Sequence, residues 1–153
     1  MDEMLQVKTA FERLLKNVSP KRLRLLYQQI GRELARSQRK RIKAQQNPDG
    51  SAYQPRKQKV RSKKGRIKTQ AMFKKITQAR HMKLRRQKDG IELGFSGNTA
   101  YIATIHQYGL RARVERHKEH KVQYAKRELL GFTEQDKEMI EAFVIKALSE
   151  NID

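Results

Sequence analysis

The chain has no cysteine, no tryptophan and three prolines among its 153 residues. Between Arg36 and Lys88 it has almost no acid: Asp49 stands alone there. Each scarcity excludes something. Without cysteine there are no disulfides, no thiolate nucleophile and no Cys-ligated metal, which fits a cytosolic origin. No run of about 18 apolar residues occurs, so no transmembrane helix is expected. Met1-Asp2-Glu3-Met4 lacks the basic-then-apolar order of a secretory signal. These absences predict a soluble protein, intracellular where it is made, with no membrane partner. Glycine-rich phosphate loops are missing too: the glycines at 94 and 97 have no Lys-Ser/Thr behind them.

What is present is charge of one sign. Residues 36–88 hold twenty Lys and Arg, so nearly all of the formal +20 net charge lies in that stretch and the rest is close to neutral. A confined basic segment calls for a polyanion beside it: nucleic acid, an anionic membrane or an acidic protein face. Few apolar residues precede Met72 in this stretch. The core is therefore expected from the two ends of the chain plus residues 72–95, in a single domain spanning 1–153.

The elements follow from period and punctuation. Leu5, Phe11, Leu14, Leu15 and Val18 lie near one face of a helix over about 4–17. Ser19-Pro20 reads as an N-cap with proline at the first helical position. Leu23, Leu26, Tyr27, Ile30, Leu34 and Ile42 then give one face of a long amphipathic helix, 20–45, with Arg22, Arg32, Arg36, Arg39 and Lys43 opposite. Asn47-Pro48-Asp49-Gly50 ends it. Residues 53–68 show no periodicity and read as a long, flexible basic loop. Met72, Phe73 and Ile76 predict a short helix over 69–79. Alternation at 82–85 and 91–95 about Lys88-Asp89-Gly90 predicts a β-hairpin. A short helix over 99–108 and strands at 121–124 and 128–130 follow. Thr133-Glu134-Gln135-Asp136 resembles a capping box with Asp in the acidic position, opening a final helix. The fold class is α+β: N-terminal helices and a C-terminal helix packed on a small, mostly antiparallel sheet, with the long basic loop.

Catalytic chemistry finds little support. His117 and His120, three apart, would share a helical face, but Arg116, Lys118 and Lys121 oppose a metal and no third ligand is evident. A solvated loop explains them better. His81 suggests no role. His106 has no nucleophile or carboxylate within its own motif, so His106, Gln107, Tyr108 and Gly109 are assigned to holding the fold. Glu134, Asp136, Glu138 and Glu141 read as exposed dressing on the last helix. No enzyme, cofactor or metal is expected. Arg39, Arg41, Lys57, Lys63, Lys64 and Arg66 are the candidate polyanion contacts. Tyr53 and Phe73 are the only aromatics near them, so contact with a nucleic-acid backbone or an acidic protein surface is favoured over base reading.

An ordered set of motifs carries a resemblance. It runs from Ile30-Gly31-Arg32 through Arg39-Lys40-Arg41-Ile42, then Gln45-Gln46-Asn47-Pro48-Asp49-Gly50-Ser51, Tyr53 and Pro55-Arg56-Lys57. Met72-Phe73-Lys74-Lys75, Gly94-Phe95-Ser96-Gly97 and His106-Gln107-Tyr108-Gly109-Leu110 follow, and Tyr124 with Arg127-Glu128-Leu129-Leu130-Gly131-Phe132-Thr133 closes it. In that order they resemble the phage virion morphogenesis, or tail-completion, proteins of contractile-tailed bacteriophages. Ala125 departs from the pattern, where proline is expected, and bears on local strand entry alone.

The resemblance implies a structural virion component of the tail top or neck, acting late in tail assembly and in head–tail joining. It implies a ring homo-oligomer, hexamer or dodecamer, partnered by tail and neck or connector proteins, with backbone contact to phage DNA. The protein would sit in host cytoplasm during assembly and in the virion afterwards. The rival reading from the residues alone is a free-standing, non-sequence-specific nucleic-acid-binding module. A nuclease is disfavoured because no carboxylate or histidine cluster appears.

Overall fold

A computed structural model describes residues 3–56, 71–88, 90–114 and 117–150. Among the described residues four helices and two hairpins follow one another: α1 (Glu3–Lys16), α2 (Pro20–Lys43), β1 (Met82–Gln87), β2 (Gly90–Phe95), α3 (Asn98–Tyr108), β3 (Arg111–Arg113), β4 (Lys121–Gln123) and α4 (Glu134–Glu150). The architecture is α+β, but the strands do not merge into one sheet. β1 pairs antiparallel with β2 from Met82 opposite Phe95 to Gln87 opposite Gly90. β3 pairs antiparallel with β4 as a separate ribbon, Ala112 opposite Val122.

α2 is the organising element. Ser19 Oγ accepts from the Arg22 amide at 3.3 Å and Pro20 opens the helix, as the local sequence dictates. Leu26, Ile30, Ala35 and Ile42 are buried along it. The β1–β2 hairpin lies across its middle, where Gly31 permits the approach: a Cβ there would stand 2.5 Å from Ile91 Cδ1. α4 runs antiparallel beside α2, with the Glu150 carbonyl accepting from Arg22 Nη1 at one end and Ser37 Oγ donating to Asp136 at the other. The capping box forms reciprocally. The Thr133 amide donates to Asp136 Oδ2 and the Asp136 amide to Thr133 Oγ1, both at 3.0 Å. Asp136 is therefore not exposed dressing; it is 2% exposed.

The core follows the sequence expectation over residues 72–95 and departs from it at the chain ends. Ile42, Tyr53, Ile76, Met82, Ala103 and Leu129 form its centre, with Phe73, Leu93, Phe95 and Leu130 against them. The middle of the chain builds it, while α4 is half-buried at the edge and none of the described α1 side chains is buried. Tyr53, placed at the start of the basic loop by its polar neighbours, is 5% exposed and meets Phe73 edge-on at 5.9 Å.

Two expected elements are absent among the described residues. No helix forms within 71–79: Phe73 takes φ 65°, and both backbone groups of Met72 are held by the Gln45 side chain, at 2.8 and 2.9 Å. A backbone so captured is lost to a helical ladder, and 74–81 runs as successive turns. The stretch 128–130 pairs with no strand among the described residues and bends at Leu129 and Leu130, because side chains take its backbone hydrogen bonds. The Glu128 amide donates to Asn47 Oδ1 at 2.9 Å, and Gln107 Oε1 accepts from the amides of Leu129 and Leu130 at 2.8 and 2.9 Å.

Candidate functional site

The cations fall into two groups, one turned inward and one facing out. Arg41 belongs to the first, against the expectation that it meets a polyanion. It is 6% exposed, and its guanidinium donates to the carbonyls of Gln46 (3.0 Å), Glu128 (2.8 Å) and Leu129 (2.7 Å) and to Gln38 Oε1 (2.5 Å). A planar fork can satisfy several carbonyls at once, so this residue ties the end of α2 to the 128–129 backbone. Gln38, one turn earlier, donates to the Gly131 carbonyl at 2.7 Å. Arg127 is the second internal clamp: Nε donates to the Gln54 carbonyl at 2.8 Å and Nη2 to that of Pro55 at 3.3 Å. Burial, then the neighbouring Arg56, lowers its pKa.

The conformational motif at the end of α3 divides. Gly109 closes the helix at φ 61°, with the Leu110 amide on the Ile105 carbonyl at 2.9 Å, and Gln107 grips the 129–130 backbone as described. His106 is wedged between Phe73 and Tyr124, ring centroids 4.8 and 5.1 Å away, and its buried Nδ1 has no hydrogen-bond partner. Burial first, then Arg127 and Arg56, lowers its pKa to about 4, which leaves the ring neutral at physiological pH. Tyr108 is the exception: it is 66% exposed and holds nothing in the interior.

The outward group lies on the opposite side of α2. Arg32, Arg36, Arg39, Lys40 and Lys43 line an open cleft of about 500 Å³ with Ala35 and Leu84. Their spacing of four, three, one and three keeps them on one helical stripe. Arg39 is half-buried and anchored by a 2.8 Å bond from Nε to the Thr77 carbonyl, while Arg36 pairs with Glu33 at 3.2 Å on the surface. Around the hairpin a second groove, of about 460 Å³, is rimmed by Arg24, Arg32, Arg85, Arg86 and Lys88. The two share Arg32 and Leu84, and neither lining contains an acid among the described residues. A continuous cationic face results, built on a rigid helix and hairpin, suited to a row of phosphates or carboxylates.

Of the sequence-based contacts, Arg39 lies in this face, Arg41 does not, and Lys57, Lys63, Lys64 and Arg66 fall outside the described residues. The hairpin cations Arg85, Arg86 and Lys88 were missed; strand alternation carries no sign of which helix a hairpin lies across. Gln38 and Arg41 left a legible signal, since Gln38 stands midway between Leu34 and Ile42 on the apolar stripe of α2. His117 and His120 are exposed. Among the described residues no group of three His, Asp or Glu is placed to hold a metal, and no helix is long and apolar enough to cross a membrane.

Comparison with known proteins gives a match over almost the whole chain. The model of the phage virion morphogenesis family matches residues 2–149. Tail completion protein S of Escherichia phage P2 is 35% identical over 150 residues, covering 97% of this chain and 99% of that protein. No solved structure matches the chain.

Proposed function

The chain belongs to the phage virion morphogenesis family, and from that premise we propose that it completes phage tails as a structural, non-catalytic virion subunit. It assembles with itself into a ring, hexameric or dodecameric, at the tail top or neck, and readies the tail for joining to a DNA-filled head. Its partners are tail and neck or connector proteins. It is made in the host cytoplasm and ends in the virion. The observation that carries the reading is the extent of the likeness: it covers 99% of a protein named for tail completion, not one shared segment.

The cationic face supplies the contact. Arg39, with Arg32, Arg36, Lys40 and Lys43 beside it, meets the DNA backbone or an acidic neighbour, and Lys57, Lys63, Lys64 and Arg66 extend that contact. Backbone contact without base reading suits DNA that has to pass. In a phage carrying this gene, its deletion is expected to leave filled heads and separate tails in electron micrographs, and supplying the chain in trans restores joined particles. Normal particles from the deletion would refute the role.

The cation-rimmed grooves favour one other reading, a free-standing, non-sequence-specific nucleic-acid-binding module. A monomer that retains duplex DNA at physiological salt, with no self-association and no effect on particle joining, would select it.

A further inference from the structure

Two apolar surfaces stand exposed among the described residues of the subunit, and they are complementary. The first is α1. Leu5 is 47% and Leu14 50% exposed, and Leu15 is half-buried. A helix of 14 residues is marginal in water without a surface to pack on. The second is a groove of about 620 Å³ between α2, β2, α3 and residues 130–132. Leu34, Leu93 and Phe95 line it, and two aromatic lips stand out from it, Tyr108 at 66% and Phe132 at 59% exposure. Exposed aromatics bordering an apolar trough are the usual anchors of helix-in-groove recognition.

We propose that α1 of one copy docks in the α3-side groove of the next, so that the ring is closed by head-to-tail α1–groove contacts. The inference rests on the ring reading above and names its interface. Charge selects the occupant. Two copies of a chain carrying +20 can meet only through parts that hold little of that charge. α1 carries Glu3 and Glu12 against Lys8, Arg13 and Lys16. The groove's lining holds a single charged residue, the acid Glu92. The hairpin-side groove, rimmed by Arg24, Arg32, Arg85, Arg86 and Lys88, would repel a second copy and stays free for the polyanion.

Size and symmetry agree. A helix of this length is about 21 Å long and about 10 Å wide. Sinking half its circumference buries about 700 Å² over both partners, below the roughly 1,200 Å² of a stable pair. One contact is therefore weak, and a closed ring, where each copy makes two, is strong. Because the donor and acceptor surfaces are different patches, the contact is heterologous, and it forms a ring where the rotation between copies closes and an open filament where it does not.

Sedimentation of the full-length chain tests this with Leu14→Glu and Phe132→Glu, both at exposed positions. The unmodified chain is expected to grow with concentration to a plateau mass. Each variant alone should stay at subunit mass, with at least tenfold weaker self-association and unchanged circular dichroism. The two mixed, at concentrations well above those at which the unmodified chain reaches its plateau, should form a species of twice the subunit mass and nothing larger, since one supplies the intact α1 and the other the intact groove. Variants that still reach the plateau overturn the inference and leave the ring reading standing. An unmodified chain at subunit mass at every concentration overturns both; if Leu14→Glu then still abolishes particle joining, α1 meets a different virion protein. Should a glutamate variant unfold, Leu14→Cys mixed with Phe132→Cys takes its place. The native chain has no cysteine, so a disulfide between the two is expected, and its absence overturns the proposal.

Discussion

Replacing Arg41 by alanine separates an interior clamp from a polyanion contact. The native guanidinium reaches three carbonyls and one amide oxygen within 3.0 Å. After truncation the Glu128 carbonyl keeps the Tyr53 hydroxyl at 2.8 Å and Gln38 Oε1 keeps the Gly131 amide at 3.2 Å. The Gln46 and Leu129 carbonyls lose this donor, at about 1–3 kcal/mol each, and the space left by the side chain adds to that. The total comes to about 3–5 kcal/mol. Set against a whole-domain stability of roughly 5–15 kcal/mol, this is a severe loss. At about 2–4 °C per kcal/mol for a chain of this size, the melting temperature should fall by about 6–20 °C. Arg41→Lys should recover part of it, since one ammonium cannot span all four acceptors. Arg39→Ala is the control: it loses one bond to the Thr77 carbonyl, about 1 kcal/mol, and weakens retention on a phosphate matrix. Calorimetry and salt elution on the three variants decide the matter. An Arg41→Ala protein that melts within about 2 °C of the native chain yet elutes as early as Arg39→Ala would refute the argument.

Other consequences are as open to measurement. His106, its pKa lowered to about 4, titrates near 6.5 when unfolded, so between these values the unfolded chain binds more protons. Stability from this group is complete above pH 6.5 and is lost as pH falls toward 4; the ceiling of about 3 kcal/mol shrinks to about 1–2 once solvent screening at the ring's exposed edge is allowed for. His106→Phe, which preserves the ring between Phe73 and Tyr124, should flatten denaturation midpoints over that window, and an unchanged slope would count against the assignment. Gly109→Ala should cost about 1–3 kcal/mol by urea denaturation, because φ is 61° and the new Cβ would meet the Lys126 backbone at 3.0 Å. Asp136→Ala removes the cap of α4 and the acceptor for Ser37 and Gln38, so about 2–3 kcal/mol is expected; a loss below about 0.5 would contradict the box. The double reversal Arg36→Glu with Lys40→Glu should leave melting unchanged and lower the salt slope of DNA retention by about 2.

How much of this was legible depended on range. Ser19-Pro20, the Thr133–Asp136 box, the hairpin alternation and the glycine after Tyr108 act within a few residues, and each could be read directly. What failed was decided at long range. Helical spacing at Met72, Phe73 and Ile76 was overruled by Gln45, 27 residues away, gripping the Met72 backbone. The apparent strand at 128–130 had its backbone taken by Asn47, Gln107 and Arg41. Arg41 was misread because a dense run of cations masks which of them faces inward. The polar break in the apolar stripe at Gln38 was the available clue to that side of α2. The outer cationic face was half legible: α2 showed its stripe, but nothing in β1 disclosed that Arg85, Arg86 and Lys88 would adjoin it.

The way residues 127–131 are seated has a consequence for synthesis. Their backbone is fastened by Gln38, Arg41 and Asn47, made some 80–93 positions earlier, and by Gln107. A ribosome therefore releases α2 with its guanidinium and amides unengaged, and they stay so until nearly the whole polypeptide has emerged. Closing these long loops costs chain entropy before any contact rewards it, and a product that ends before residue 127 lacks the piece that locks the rest. Chains cut short before residue 127 are therefore expected to melt well below the finished subunit, so that chain order itself sets when the fold becomes secure.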